Sequence, residues 1–573
     1  MNSVKKLRLL FSKENIGGYL VPKNDFFFNE FVESCNDRLK FISNFTGSAG
    51  TALILKEKSY LFIDGRYTIQ AKLESGNHYQ IIDVGKTSIL EFLEGNYKNV
   101  KIGYDPNLFT FNAIKNILKK NKNFVNIEKN LIDKIWKNKK REDCHKAFYL
   151  DDQYSGQNYN DKIEHLKEKL NINDRKSFFI SSNENLCWLL NIRGADSKFA
   201  PLLNAFALIS KNETIVFTNL KKISKSIKIN YSKNVLFVNI NLLKSFLSKN
   251  KKLTIKIDPS SASFGLISFL ERINILHKFI KDPIFVLKSK KNTTEIQNLK
   301  IAHIFDGVAL VKFLFWINQV KLKNKIDEIS SQNQLEKFRR KNSFYLGTSF
   351  PPISSFNKNS AIIHYNATSK TNLQIRNGIY LLDTGGQYKF GTTDVTRTIS
   401  FGTQSIYKKN IYTRVLKGHL AVKNFELTKI STGAEVDFAA RRFLKEIKLN
   451  YPHSTGHGVG YYLNVHENPP SISKKNKNKF YEGQVVSNEP GFYLPGKFGI
   501  RIENLIYVKK YANIFKFEDL TLVPYDKNLI NKKLLNKIEI KNLNNYYRQV
   551  YEKLSAFLNK EESNFLKKLC LPI

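Results

Sequence analysis

The sequence predicts an α+β protein in which a C-terminal α+β domain follows two related α/β domains. Three observations carry this. At 573 residues the chain exceeds what a single hydrophobic core organises. Its N-terminal part shows buried-strand patterns between longer amphipathic stretches, and that pattern starts afresh near residue 149. The C-terminal part instead mixes helices with strands that end in acidic residues.

In chain order, residues 16–21, 51–55 and 60–63 have the length and apolarity of strands, and Asp64-Gly-Arg-Tyr67 reads as a turn entering a helix. The second domain repeats this with strands at 177–180, 205–209 and 214–217. Domain limits of 1–148, 149–289 and 290–573 follow. The run from Lys288 to Asn292 reads as a linker, with Thr293 or Thr294 capping a long helix and Glu295 in its first turn. Core positions of that helix are Ala302, Phe305, Ala309 and Phe313. Further helices are expected at 412–427 and 437–447, and a polar, helical extension over 512–573.

A hydrophobic fraction of 42%, with 13% aromatic, excludes wholesale disorder. The net charge of +42 alone would suggest nucleic acid or an anionic membrane. The excess, however, is mostly lysine spread along the chain, as in 474–479, which reads as a solvated surface and disfavours a nucleic-acid partner. Cys35, Cys144, Cys187 and Cys570 have no paired spacing, so neither a disulfide framework nor a thiolate zinc site is expected. No uninterrupted apolar run reaches the ~18 residues of a membrane span, Lys312 breaking the nearest one, and the N-terminus lacks a secretory pattern. These features predict a cytoplasmic protein without a membrane partner.

The chemistry lies in one 121-residue stretch. Asp383 and Asp394 stand 11 residues apart, in Leu382-Asp-Thr-Gly-Gly386 and Thr393-Asp-Val-Thr-Arg397. Read as antiparallel strands joined by a loop, these segments bring the two carboxylates together. Buried so close, they would raise each other's pKa unless a cation compensates. His457 follows in the glycine-rich His453-Ser-Thr-Gly-His-Gly-Val-Gly460, Glu489 in Asn488-Glu-Pro-Gly491, and Glu503 in Ile500-Arg-Ile-Glu-Asn504. Strand alternation sets Arg501 on the face of Glu503, where it can support a carboxylate ligand. Four carboxylates and one imidazole form a donor set for two hard divalent ions, and mostly oxygen ligands favour manganese, with zinc or cobalt also fitting.

The order Asp, Asp, His, Glu, Glu resembles that of the pita-bread metallopeptidases, which include methionine aminopeptidase, prolidase and aminopeptidase P. Within them the chain looks most like the long, three-domain Xaa-Pro aminopeptidases, whose first two domains are creatinase-like. The resemblance runs through Phe45-Thr-Gly-Ser-Ala-Gly-Thr51, the 188–196 segment, Asn464-Val-His-Glu467 and Leu520-Thr-Leu-Val-Pro524. It implies Asp383 as ligand of one metal, Asp394 and Glu503 as bridging ligands, and His457 and Glu489 on the second metal. It further implies Glu489 as catalytic base, and His364, His453 and His466 in substrate binding and proton transfer, with Arg501 beside them. The implied substrates are peptides with proline in second position, cleaved by metal-activated water, and the implied assembly is a homodimer. Phe356, Asn357 and Ser360, just before His364, depart from the family's small residues, so a reshaped pocket entrance is expected. The alternatives are prolidase action on dipeptides, a metal-free creatinase-like hydrolysis, which the intact ligand set disfavours, and a non-catalytic pita-bread module that binds protein or nucleic acid.

Overall fold

Two six-stranded sheets of one connectivity organise residues 1–284, the first of two compact units in the chain. The computed structural model describes residues 3–140, 143–250, 252–320, 326–512 and 514–573. The first sheet is ordered Gln80–Asp83, Ser59–Ile63, Thr51–Leu55, Gly18–Pro22, Ile102–Tyr104, Phe124–Asn126. The second is ordered Val235–Asn239, Thr214–Thr218, Ala205–Ile209, Lys176–Ile180, Thr254–Ile257, His277–Phe279. Each has two antiparallel pairings in the middle and parallel pairings elsewhere, in the same places. The expected pair of related α/β domains is thus two copies of one topology. Near-continuous apolar strands such as Ser59–Ile63 and Thr214–Thr218 are buried along their whole length, as sheets covered on both faces require.

Residues 285–573 form the second unit. The run from Lys288 to Asn292 is not an open linker, because Lys288 and Ser289 end a short helix, Ile284–Ser289. Lys288 and Lys291 are buried and both pair with the buried Glu467. Helix α1, Thr293–Val320, follows. Its cap is Asn292 rather than Thr293 or Thr294. The Asn292 side chain accepts from Glu295 N–H at 2.9 Å and the Glu295 carboxylate accepts from Asn292 N–H at 3.0 Å, a reciprocal box. Ala302, Ala309 and Phe313 are buried as expected, while Phe305 is half-buried and stacks on Phe344. Helix α1 is long and apolar enough to cross a membrane by length and composition, yet half of its most apolar window is buried within the fold, as in a core helix. Lys312 on it pairs with Glu562 at 3.8 Å.

The strands that matter for chemistry are β1 (Ile353–Phe356), β2 (Gly378–Thr384) and β3 (Val395–Phe401), which pair antiparallel with β2 in the centre. Then come β4 (Gly456–Gly458), β5 (Val485–Asn488), the hairpin β6 (Gly491–Leu494) and β7 (Phe498–Arg501), and β8 (Asn504–Tyr511). Helices Ile406–Lys423 and Gly433–Lys445 contribute Tyr412, Val415, Leu416 and Leu444 to the buried core behind these strands. The 512–573 segment is not helical throughout. Its Ile514–Asp519 is a strand paired with β8, and the long helices begin only at Lys537.

Candidate metal centre

Asp383 is the penultimate residue of β2 and lies opposite Thr396, while Asp394 immediately precedes β3. The connection between them reverses at Lys389 and Phe390 and comes back against Gly385, where a Cβ would overlap the Thr393 carbonyl beside Asp394. His457 sits in β4 after Gly456, a residue whose Cβ would collide with the Ser487 carbonyl of β5. The two glycines let backbone approach backbone where the acids and the imidazole meet. Glu489 directly follows β5, its N–H bonded to Thr455 O at 2.8 Å. Glu503 falls in the break between β7 and β8, its N–H bonded to Thr396 O at 3.1 Å.

These residues converge. Ligand atoms of Asp394, His457 and Glu503 all lie within 4.8 Å of one another. His457 Nε2 is 3.5 Å from Asp394 Oδ2 and 3.6 Å from Glu489 Oε1. His457 Nδ1 is 2.9 Å from Gly458 O, to which it donates, so Nε2 is the nitrogen that faces the acids and is free to ligate a cation once its own proton is lost. Arg501 binds Asp383 Oδ2 at 2.5 Å, Tyr493 Oη at 2.7 Å and Thr396 Oγ1 at 3.2 Å. Thr396 Oγ1 in turn donates to Glu503 Oε2 at 2.7 Å. Tyr493 Oη is 2.9 Å from His453 Nε2, and His453 Nδ1 stands 4.0 Å from Glu489 Oε2.

The electrostatics ask for cations. Burial, with Asp394 adding repulsion against the attraction of Arg501, pushes the Asp383 carboxyl up to about 6. Burial likewise pushes Glu489 up to about 6 against the pull of His457 and Arg501, and drives Glu503 well above the carboxylate range. Burial opposes charge on His457, but the Asp394 hydrogen bond and Glu489 outweigh it and raise the imidazole to about 9. Asp383 Oδ1 and Asp394 Oδ1 are buried acceptors with no hydrogen-bond partner. With all four carboxylates ionised, one guanidinium and the protonated His457 still leave two negative charges uncompensated in a buried space. A pair of divalent cations fits both that deficit and the orphaned oxygens, and the donor set is the one hard ions prefer.

Eight of the nine residues singled out from the sequence are joined to one another by these contacts. His466 is among them, its exposed ring 4.2 Å from that of His457. His364 is half-buried and lies beyond the 3-10 helix Asn357–Ala361, which follows β1, the strand that pairs Ile353 with Asp383. Sequence reasoning missed Tyr493 and Thr396, which join Arg501 to both sides of the site. The alternation of Thr396 and Thr398 on a strand buried on both faces is the signal for the latter, since buried hydroxyls need partners.

Comparison with known proteins agrees with this geometry. Residues 297–510 match the profile of metallopeptidase family M24, residues 4–135 and 138–295 the creatinase/prolidase N-terminal domain, and 513–573 the C-terminal region of peptidase M24. The chain belongs to metallopeptidase family M24. Among curated relatives it is 34% identical to Xaa-Pro aminopeptidase 1 of Dictyostelium discoideum, covering 100% of this chain and 96% of the relative. It is 34% identical to a probable Xaa-Pro aminopeptidase P of Laccaria bicolor, covering 99% and 93%. The crystal structure of X-prolyl aminopeptidase from Caenorhabditis elegans, a cytosolic enzyme with a di-nuclear active site, superposes with a TM-score of 0.95 at 29% identity, covering 100% and 99% of the two chains.

Proposed function

We infer that this protein is a metal-dependent aminopeptidase that hydrolyses the bond between an N-terminal residue and the proline behind it. The observation that carries this is the buried cluster of four carboxylates and one histidine in a chain similar from end to end to Xaa-Pro aminopeptidases. Two divalent ions, with manganese favoured by the oxygen-rich donors, would supply Lewis acidity and an activated water when bound.

The chain's own residues do the rest. Asp383, Asp394, His457, Glu489 and Glu503 hold the ions, and Arg501 orients Asp383 while its bridge to Tyr493 reaches His453. Glu489, a carboxylate beside the ions, would take the proton of the attacking water. His364, His453 and His466 bind the peptide and pass a proton to the departing proline nitrogen, which as a poor leaving group needs it. Three domains, 1–148, 149–289 and 290–573, a homodimeric assembly and a cytosolic location complete the reading, supported by the resemblance and by the cytosolic relative. Dipeptidase action and a non-catalytic role are disfavoured, because the end-to-end relatives are aminopeptidases and the acid set is intact.

The deciding experiment compares a Lys-Pro-Pro peptide with a Lys-Ala counterpart, using chelator-stripped protein before and after adding manganese. Release of lysine from the proline peptide alone, and only with metal, is expected. No release under any divalent metal would overturn the assignment.

A further inference from the structure

Of the three residues that depart from the family pattern, Ser360 braces Asn357, and Phe356 and Asn357 line a cavity of about 490 Å³, within the range of ligand sites. Its opposite side comes from Lys408 and the turn of the β6–β7 hairpin at Gly496, Lys497 and Phe498, and Lys358 stands at its rim. Three lysines thus face one space, and none of the lining residues is acidic. Phe356 and Phe498 are buried and form an apolar floor. Among the described residues neither Lys358 nor Lys497, both exposed, makes an ion pair.

The wall is held in place. Asn357 adopts a left-handed φ of 45°, and its Oδ1 accepts from Ile379 N–H at 3.0 Å on β2. Ser360 Oγ donates to Asn357 O at 2.6 Å and accepts from Gly499 N–H at 2.7 Å on β7. The Lys408 ammonium stands over the Phe498 ring, 5.7 Å from the centroid, and donates to Gln404 Oε1 at 3.0 Å. Burial pushes its pKa down, a cost that an adjacent anion would relieve. Two strands lead here from the acidic centre. Ile353, opposite Asp383, is three residues from Phe356 along β1, and Arg501 is three residues from Phe498 along β7, about 10 Å in each case.

We propose that this cavity is an anion subsite that receives a carboxylate of the peptide substrate downstream of the cleaved bond. The carboxylate is an acidic side chain or the peptide's own C-terminus, its apolar stem lying on Phe356 and Phe498. An extended peptide advances ~3.5 Å per residue, so about three residues separate the scissile bond from the lysines. The inference rests on the aminopeptidase reading and gives it a substrate preference.

The test uses the manganese-loaded full chain and C-terminally amidated Xaa-Pro pentapeptides carrying glutamate or glutamine at the third, fourth or fifth position. At one of these positions KM for glutamate is expected to be about tenfold below that for glutamine, the worth of a hydrogen bond to a charged group, with kcat unchanged. Lys408→Met, which keeps an unbranched side chain of similar length without the charge, and the double variant Lys358→Gln/Lys497→Gln should bring that ratio to about one while cleaving the glutamine peptides like the parent. A ratio of one in the parent at all three positions, or a preference that survives both variants, overturns the substrate subsite. Calorimetric titration of the same proteins with inorganic phosphate separates the source of the anion. Binding that the lysine variants abolish, without a peptide preference, supports a site for a free oxyanion in place of a peptide carboxylate. Absence of both signals overturns the anion site itself. Failure to cleave any pentapeptide would count against the aminopeptidase reading alone, since the phosphate titration does not depend on turnover.

Discussion

Arg501 touches three acceptors on three strands, and only a planar fork reaches Asp383, Tyr493 and Thr396 together. Arg501→Lys should therefore lower kcat or metal affinity by about 10- to 100-fold, the usual effect of losing a group that orients a ligand, measured by steady-state kinetics and metal titration. Asp394→Asn replaces one carboxylate oxygen of the Asp394, His457 and Glu503 cluster by an amide nitrogen. Metal binding and turnover should vanish together, and retained activity in that variant would sink the ligand assignment. Acid–base linkage gives a third expectation. Without metal, Asp383 and Glu489, raised to about 6, cost stability as pH climbs through that value from the unfolded carboxylate range. His457, raised to about 9, stabilises below its unfolded pKa and loses that contribution as pH passes its folded one. Both slopes run downward with rising pH, whereas metal binding needs these groups deprotonated. The gain in Tm on adding manganese should grow from about pH 5 to about pH 9, and differential scanning fluorimetry checks it. The acids were legible because each stands beside glycine or at a strand end. Tyr493 was not, because its role depends on a hairpin fold that places it under Arg501.

At the scale of elements, strands with strong local signals were readable. Thr51–Leu55 and Ala205–Ile209 are where apolar runs of β-rich residues place them, and the antiparallel pairing of β2 with β3 follows from two such runs around a glycine turn. The 288–292 run misled for a physical reason. Lysines belong in water unless a carboxylate neutralises them, and that carboxylate, Glu467, lies almost 180 residues away in sequence. Long-range pairing leaves no local trace. The ion cluster ties the helix Ile284–Ser289 and the start of α1 to the segment that carries His466. Glu467→Ala would leave two buried ammonium groups on these elements without their acid, and should cost about 3–5 kcal/mol, read from urea unfolding. Lys291→Met, which leaves Lys288 to pair with Glu467, should cost less.

For the molecule as a whole, the charge of +42 predicts weak, sequence-independent attraction to nucleic acid that counterion release should remove. Retention on a DNA column is expected to disappear by about 0.2 M salt, and binding that persists there would revive the module reading. The architecture of two repeated α/β sheets before an α+β unit was legible because hydrophobic periodicity restarts, and restarts are visible without knowing any contact. The strand at Ile514–Asp519 was not, because its short Ile-Phe-Lys-Phe run ending in Glu518 and Asp519 looks like a polar edge until β8 is there to pair with it. One feature of the centre reaches beyond the finished molecule. Its donors arrive late and in sequence, from Asp383 to Glu503, on strands that complete one another. While the chain is still being made, every product shorter than that last glutamate lacks a donor. A chain that stops short of Glu503 therefore cannot assemble the full centre, whatever part of the fold it has reached.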